Sequence, residues 1–327
     1  MLGVVNNMSN IKWAILGPGN IAEEFAKAIV AVNGNLYAVG ARTIEKAKKF
    51  GDKYKAEKIY GSYDEMLEDD EIDVVYISTP HCNHYEYIMK SLKNNKHVFC
   101  EKAITVNGDE LTEIVALAEE KNLIVAEAMT IYHMPLYQKL RNIIEKGNIG
   151  KLKMVQVSFG SCKEYDVTNR FFSKELAGGA LLDIGTYALS FARLFLSSQP
   201  DEVLTTVKRF ETGVDEQSGI VLKNRNDEMA VISLTMRAKM PKRGIIAGEL
   251  GFISVDNFPR ADKAIITYLD GRVETIEAGE TSKALVYEVN DMNKYILNKD
   301  NKVTLGLSVD VMKLMDEVRN QWKIKKY

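Results

Sequence analysis

Three polar side chains occupy positions from which they could act on an alcohol or a carbonyl group. Lys102 follows a predicted strand, and Asp183 and Tyr187 are four residues apart in an otherwise apolar predicted helix. A spacing of four places both side chains on one helical face, and burying such a polar pair is costly unless the pair is used. Removal of a hydride from a carbinol carbon requires that the hydroxyl proton be withdrawn or its negative charge be stabilised. These residue types suit that chemistry.

Each of the three residues has a role that follows from its chemistry. The ammonium of Lys102 would stabilise an alkoxide during oxidation and polarise a carbonyl during reduction. Tyr187 would exchange the substrate proton if the charge of Lys102 favours the tyrosinate, and Asp183 would orient substrate hydroxyls or Lys102. Two alternatives stay open: Lys102 is a solvated loop residue, or Tyr187 is an ordinary core tyrosine of an apolar helix.

A glycine-rich turn follows the first predicted strand and precedes a predicted helix. It has the pattern GxGxxA, Gly17-Pro18-Gly19-Asn20-Ile21-Ala22. Gly17 would supply the tight turn, Gly19 would let a pyrophosphate approach the backbone, and Ala22 would let the helix pack on the strand. Asn20 and Ile21 would begin the helix whose N–H groups face the phosphates. The pattern predicts a dinucleotide site, the alternative being that the glycines only shape a turn.

The end of the second predicted strand bears on the choice between NAD and NADP. An acidic side chain there would bind the ribose 2′-hydroxyl and repel a 2′-phosphate. The chain has Arg42 and Thr43 at this point. Arg42 would clamp a 2′-phosphate and lie over the adenine, and Thr43 would donate a hydrogen bond. These residues favour NADP(H) over NAD(H); alternatively, Arg42 is solvated and Glu45 takes the acidic role.

The elements that must position these residues change in character along the chain. Residues 11–126 alternate short apolar runs with amphipathic segments, which predicts βαβ units and a parallel sheet covered on both faces. The predicted strands of this part are 11–16, 36–39, 74–77, 97–100 and 123–126. From Lys151 onward, strand-like runs arrive with few helices between them, which predicts a mostly antiparallel sheet. These runs are 152–160, 202–210, 219–223, 229–238, 251–255 and 264–269. Two further helices are predicted, at 285–296 and 311–322. The fold class is therefore α/β, a doubly wound Rossmann sheet followed by an α+β domain with a large, mostly antiparallel open sheet.

The 327 residues suggest two domains. We place a dinucleotide-binding domain at 1–128, with 1–9 as a loose tail, and a substrate-binding and dimerisation domain at 129–327. In one predicted strand, Val231, Ser233 and Thr235 alternate with Ile232, Leu234 and Met236, so one face is more apolar than a solvated sheet usually shows. A homodimer or higher homo-oligomer through the outer face of that sheet is therefore expected; alternatively, both faces are covered within one chain.

Four motifs, taken together and in order, resemble those of a known family. They are GPGNIA at 17–22, STPHxxH at 78–84, EKA at 101–103 and GGALLDIGTY at 178–187. The chain resembles the glucose–fructose oxidoreductase/inositol dehydrogenase/MocA (Gfo/Idh/MocA) family over essentially its whole length, most closely the dimeric dihydrodiol dehydrogenase and sugar dehydrogenase branch. The resemblance implies a Rossmann domain, a second domain with a large open sheet, and NAD(P)-dependent oxidation of a secondary alcohol.

The resemblance also implies site residues. Lys102 would be the key catalytic cation, with Asp183 and Tyr187 in the substrate site, and His84 would lie on the nicotinamide side. The full cofactor-binding set is Gly17, Gly19, Asn20, Ile21, Arg42, Thr43, Thr79, Pro80, His84, Glu101 and Lys102. The substrate-binding set is Lys102, Tyr165, Arg170, Asp183 and Tyr187. The sequence departs from the family pattern at two places. Ala103 replaces the usual proline, which leaves the direction of the Lys102 side chain undetermined. Residues 130–133 lack the usual Trp and Arg, so the substrate contacts of that segment are altered.

Composition excludes several classes of protein. With 43 basic and 45 acidic residues, the net charge of −2 lacks the positive excess expected of a protein that binds nucleic acid or an anionic membrane. Three cysteines without a CxxC pair disfavour a disulfide framework and fit a reducing cytoplasm. His81 and His84 are three residues apart, but no third ligand is evident, so no metal is expected.

We therefore expect a cytoplasmic NAD(P)-dependent oxidoreductase. It would transfer a hydride between nicotinamide and a secondary alcohol or carbonyl of a sugar, polyol or dihydrodiol-like compound. Two alternatives remain: a non-catalytic dinucleotide- or sugar-sensing protein, and a glycosidase of the same fold that retains its cofactor. The substrate, the reaction direction and the oligomer size do not follow from the sequence.

Overall fold

The computed structural model describes residues 11–324, which divide into two compact units. The first unit comprises 11–105, 109–128 and 283–305, and the second comprises 106–108, 129–282 and 306–324. The segment Lys283–Leu305, which the sequence analysis assigns to the second domain, lies in the first compact unit. The predicted tail at 1–9 lies outside the described residues.

The first unit contains a parallel sheet of six strands in the order β3-β2-β1-β4-β5-β6. The strands are β1 (Lys12–Leu16), β2 (Asn35–Gly40), β3 (Lys58–Tyr60), β4 (Val74–Ile77), β5 (His97–Glu101) and β6 (Val125–Ala128). The helices are α1 (Asn20–Ala31), α2 (Ile44–Tyr54), α3 (Tyr63–Leu67), α4 (His84–Lys93), α5 (Gly108–Lys121, which begins in the second unit) and α8 (Ala284–Asn298). This strand order is that of the Rossmann fold, which binds its ligand where the order reverses, beyond the carboxyl ends of β1 and β4.

Strand register brings the predicted nucleotide-binding residues to that edge. Leu16, the last residue of β1, pairs with Gly40 at the end of β2 and with Ile77 at the end of β4. The residues that follow these three strands therefore leave the sheet at one edge. The predicted Rossmann topology is confirmed, although the sequence missed the three-residue strand β3.

An aromatic core explains why Lys283–Leu305 belongs to the first unit. Trp13 of β1 packs edge-on against Phe25 of α1, and Phe25 stacks on Tyr76 of β4 with ring centroids 3.7 Å apart. Helix α8 packs against α1, and the indole of Trp13 donates a hydrogen bond to Asn293 of α8 at 3.1 Å. A buried indole N–H needs such an acceptor. The late helix therefore completes the core that the first strand begins.

The second unit contains an eight-stranded sheet in the order β14-β13-β12-β11-β7-β10-β9-β8, antiparallel except between β7 and β10. The strands are β7 (Leu152–Gly160), β8 (Glu202–Arg209), β9 (Asp215–Lys223), β10 (Met229–Thr235), β11 (Met240–Gly248), β12 (Gly251–Asp256), β13 (Lys263–Tyr268) and β14 (Val273–Glu277). The longer helices outside the Rossmann layers are α6 (Pro135–Glu145), α7 (Thr186–Phe195) and α9 (Lys302–Gln321). The predicted large, mostly antiparallel sheet is confirmed, with β11 and β14 added to the predicted strands.

The two faces of this sheet differ in exposure. Helix α7 packs against β7 and β10, and the alternate residues Ile232 and Leu234 of β10 are buried. Val231 on the opposite face is 37% exposed. Thr235 is buried, so the outward face is shorter on this strand than the sequence pattern predicts. Among residues 11–324, no helix combines the length and apolar character needed to cross a bilayer.

Candidate active site

The glycine-rich turn joins β1 to α1 at the ligand edge of the parallel sheet. Gly17 has a φ of +91°, which favours glycine, and a Cβ there would lie 3.1 Å from Cγ2 of Thr79. The hydroxyl of Ser78 donates a hydrogen bond to the Gly17 carbonyl at 2.8 Å. Helix α1 begins at Asn20, and a Cβ on the N-cap residue Gly19 would meet nothing nearer than 4.0 Å. The turn therefore leaves room for a phosphate at the amino end of α1.

An orphaned hydroxyl beside this turn supports the fit of a dinucleotide. Oγ1 of Thr79, in the loop after β4, is buried and has no hydrogen-bond partner within the described part of the chain. Buried polar atoms are nearly always hydrogen-bonded, so a ligand that supplies a partner here would be favoured. The next residue, Pro80, is the N-cap of a short 3₁₀ turn at His81–Asn83. The turn, the helix end and the hydroxyl together fit an NAD(P) cofactor.

Arg42 follows the end of β2 by two residues and is exposed. The rings of Tyr63 and Tyr87 meet edge-on with centroids 5.0 Å apart. Burial raises the pKa of both phenols, and the charge of Arg42 opposes that rise. Oγ1 of Thr43 accepts the Lys46 N–H at 3.4 Å and caps α2. Glu45, the alternative acid, lies exposed in the first turn of α2.

The loop that carries Lys102 is held by two histidines. The peptide between Lys102 and Ala103 is cis, and Nε2 of His81 lies 3.0 Å from the Lys102 carbonyl oxygen. The ring of His84 is fully buried, with Nδ1 2.9 Å from the Ala103 oxygen and Nε2 2.9 Å from the Thr79 oxygen. His84 therefore ties the loop after β5 to the loop after β4.

Opposing influences act on the protonation of His84. Burial lowers the pKa of His84 and the charge of Lys102 also lowers it, whereas the contacts with the carbonyl oxygens of Thr79 and Ala103 raise it. A neutral ring donates to one of these two oxygens and a charged ring donates to both. Within residues 11–324, no group of three or more His, Cys, Asp or Glu side chains is arranged to hold a metal ion.

Two buried residues that the sequence analysis missed complete this loop. Glu127 of β6 accepts the N–H of Ile104 at 3.1 Å, and its side chain is buried. The hydroxyl of Tyr76 donates to the carboxylate of Glu101, the residue before Lys102. The available signal for Glu127 is a single acidic residue inside an otherwise apolar strand, since such a residue is buried only where it is bonded.

In the second unit, the helical segment that carries Asp183 and Tyr187 begins with a π turn. The turn spans Leu181–Gly185, and the Thr186 N–H donates to the Leu181 carbonyl before the α-helix continues. The segment is therefore wider at its start than the predicted regular helix. Asp183 is buried, and Tyr187 packs against Phe159 of β7 with centroids 6.2 Å apart. Such π turns are frequent at functional sites.

The two other predicted substrate residues of this unit have different surroundings. Nη2 of Arg170 lies 3.9 Å from Oδ1 of Asp183, and its guanidinium lies over the Phe171 ring. The structure thus places Arg170 close to Asp183. The hydroxyl of Tyr165 donates to Glu211 at 2.6 Å, and this bond raises the pKa of Tyr165. Tyr165 is therefore engaged with Glu211.

Comparison with known proteins agrees with these features. The oxidoreductase family with an NAD-binding Rossmann fold matches residues 11–129, and the GFO/IDH/MocA C-terminal domain matches residues 137–254. The chain is 32% identical over 325 residues to a trans-1,2-dihydrobenzene-1,2-diol dehydrogenase of Xenopus tropicalis, covering 95% of this chain and 97% of that protein. The corresponding human enzyme is 31% identical over 251 residues, covering 76% of this chain and 75% of the human one.

Solved structures share the fold at lower sequence identity. KijD10, a 3-ketoreductase from Actinomadura kijaniata in complex with NADP and TDP-benzene, matches with a TM-score of 0.85 at 22% identity, over 95% of this chain and 97% of KijD10. A levoglucosan dehydrogenase in complex with NADH and levoglucosan matches with a TM-score of 0.85 at 18% identity, over 95% and 96% of the two chains. The two domain matches and the full-length relatives place the chain in the Gfo/Idh/MocA family, as an NAD(P)-dependent oxidoreductase.

Proposed function

We propose that this oxidoreductase transfers a hydride between NADP(H) and a secondary alcohol or ketone of a sugar, polyol or dihydrodiol-like compound. The observation that carries the proposal is the Lys102 loop, whose backbone is contacted by the buried side chains of His81, His84 and Glu127. A loop held in this way keeps a positive charge at a defined place at the end of β5, on the ligand edge of the sheet. The relatives named as dihydrodiol dehydrogenases support a vicinal diol as one substrate class.

The proposed chemistry assigns one task to each residue. When bound, the nicotinamide ring accepts or supplies the hydride. The ammonium of Lys102 stabilises negative charge on the substrate oxygen, and the hydroxyl of Tyr187 passes the proton of that oxygen. Asp183, with Arg170 beside it, accepts hydrogen bonds from neighbouring substrate hydroxyls and so orients the carbon that reacts. Tyr165 contributes to the wall of the substrate site through its ring.

The proposed preference for NADP(H) rests on charge at the end of β2. Arg42 stands where an acidic residue would repel a 2′-phosphate, and its positive charge acts on the phenols of Tyr63 and Tyr87. A guanidinium binds phosphate through two parallel hydrogen bonds. Together these groups favour a cofactor that carries the additional phosphate.

The proposed assembly is a homodimer through the outward face of the second sheet. That face exposes large apolar side chains on strands across its width, namely Leu204, Val231, Phe252, Ile265 and Val273. Paired residues on neighbouring strands share a face, as Leu204, Val221 and Val231 do. A two-fold contact between copies would bury each of these residues twice. Small-molecule substrates are the only other partners proposed.

We also propose that the protein works in the cytoplasm. Its cysteines, Cys82, Cys100 and Cys162, are free thiols, two of them exposed. Exposed thiols are compatible with a reducing compartment.

A cofactor-turnover assay tests the proposed function. The protein is incubated with NADP⁺ and a panel of polyols, sugars and a trans-dihydrodiol, and in the reverse direction with NADPH and the matching ketones. Growth or loss of the reduced-nicotinamide absorbance with equimolar product supports the proposal. Product without a net absorbance change would instead indicate a glycosidase that retains its cofactor. Binding of cofactor and sugar without any product would indicate a sensor.

A further inference from the structure

The two glycines that begin the GGALLDIGTY motif make room for two different neighbours. A Cβ on Gly178 would lie 2.7 Å from the carbonyl oxygens of Arg170 and Phe171, so this glycine lets the loop that carries Arg170 approach. Gly179 has a φ of +112°, and a Cβ there would lie 2.2 Å from Oδ1 of Asp215. The second glycine is therefore required by a carboxylate on β9.

Asp215 reaches the start of the helical segment directly. Its Oδ2 accepts the Leu181 N–H at 2.7 Å, and the residue is 3% exposed. The first N–H groups of a helix lack partners within the helix and carry the positive end of its dipole. A carboxylate accepts a hydrogen bond from such an N–H group and its negative charge interacts favourably with the dipole, as an N-cap side chain does. Here it comes from a strand 34 residues further along the chain, so the contact fixes the helix relative to the sheet.

We propose that Asp215 is a positioning residue that aims Asp183 and Tyr187 at the substrate through its hydrogen bond to the first turn of their helix. Asp183 is two residues after the bonded Leu181, and its own N–H donates to the Gly179 carbonyl at 3.2 Å, so it belongs to the same first turn. A shift at the start of the segment is therefore passed directly to both side chains. The effect on substrate rests on the proposed function, whereas the effect on the helix does not.

The surroundings of Asp215 predict how acid should affect this contact. Burial raises the pKa of Asp215 to about 6, and the N–H groups of Leu181 and Ala180 and the charge of Arg319 oppose the rise. Arg319 of α9 also binds Asp316 at 2.7 Å. The carboxyl is thus ionised at neutral pH and gains a proton in mild acid, which removes the negative charge from the helix start and weakens the hydrogen bond there.

Hydrogen exchange on the full chain tests the contact without a substrate. Asp215→Ala is compared with Glu216→Ala, which removes the neighbouring carboxylate that pairs with Lys208 at 2.8 Å. Exchange of the Leu181–Ile184 amides should be about five- to tenfold faster in Asp215→Ala, the factor expected for loss of one cap, and unchanged in Glu216→Ala. In the parent protein, protection of the same amides should be lower at about pH 5 than at about pH 7.5. Asp215→Ala should lose that dependence.

Steady-state kinetics test the consequence for substrate. With a substrate that the parent oxidises, Asp215→Ala should raise KM for the alcohol about tenfold and leave the dissociation constant for NADPH within about twofold. Equal exchange at Leu181–Ile184 in the parent and in Asp215→Ala would overturn the proposal, as would an unchanged KM. If Asp215→Ala does not fold, the pH dependence of exchange in the parent decides. If the parent oxidises no alcohol, the proposed function fails while the exchange results still decide the contact.

Discussion

The carboxylate of Glu127 accepts the backbone N–H of Ile104 at 3.1 Å, two residues after Lys102. This bond joins β6 to the loop that follows β5. Glu127→Gln should lower the turnover number about 10- to 100-fold, because a small displacement of a positioned charge is costly to the rate. The affinity for NADPH should stay nearly constant. Exposed Glu120 on α5 provides the matched control, and equal losses in Glu127→Gln and Glu120→Gln would contradict the assignment.

Removal of the charge of Lys102 tests the proposed mechanism. Lys102→Met keeps the apolar stem, so hydride transfer should slow about 10²–10⁴-fold while cofactor affinity changes little. Tyr187→Phe should cost less if the lysine carries the charge and the tyrosine only relays the proton. Single-turnover kinetics measure both, with exposed Lys48→Met as the control. Turnover near the parent value in Lys102→Met would refute the catalytic role.

Charge reversal at Arg42 tests the preference for NADP(H). The parent should bind NADPH more tightly than NADH, and Arg42→Asp should reverse or strongly weaken that preference because a carboxylate repels the 2′-phosphate. Fluorescence titration with both cofactors provides the two dissociation constants. Equal affinities in the parent would remove the basis of the proposal, whatever the variant does.

The buried ring of His84 predicts a pH dependence of stability. Because burial lowers its pKa in the folded state, the unfolded chain binds more protons as the pH falls through the ordinary histidine value of about 6.5. The folded state should therefore lose stability below that pH. His84→Gln should show a smaller drop in Tm between about pH 7.5 and about pH 5.5 than the parent. Burial lowers the pKa of His97 as well, so His97→Asn serves as a second variant whose drop in Tm is compared with that of His84→Gln. Identical dependence of Tm on pH in the parent and in His84→Gln would contradict the prediction.

A charge placed on the outward sheet face tests the proposed dimer. Light scattering should give a dimer mass for the parent at micromolar concentration, and Val231→Lys combined with Leu204→Glu should give the monomer mass. The Tm should change little, since both side chains are exposed in the single chain. A monomer mass for the parent would count against the sheet face as an interface.

The sequence predicts the parts of the fold whose apolar pattern is local. Strands β1, β4 and β5 are buried runs between amphipathic helices, and such runs are recognisable without any partner. Strand β11 was missed because its first half, Met240–Arg243, is mostly exposed and includes Lys242 and Arg243. Strand β3 was missed because three residues are too few to show the alternation of apolar and polar side chains that indicates a strand. The partner of α8 was also out of reach, since the Trp13–Asn293 contact joins residues 280 positions apart.

The residues of the candidate site also differ in whether local sequence indicates them. Lys102, Asp183 and Tyr187 were recognised because each belongs to a compact motif. Glu127 and Asp215 support those motifs from other strands. Their sequence signal is only that each is an acidic residue within a strand, and many residues with a purely structural role have the same feature. Only the contacts with Ile104 and Leu181 distinguish the two carboxylates.

The return of Lys283–Leu305 to the first unit determines when that unit can form during synthesis. The partners of Trp13 and of helix α1 lie in α8, close to the end of the chain. These contacts therefore form only after about the last tenth of the chain has been synthesised. Until then, the nascent Rossmann sheet exposes apolar surface of the kind that chaperones recognise. A fragment that stops at residue 128 would retain every strand of the parallel sheet and still lack a wall of its core.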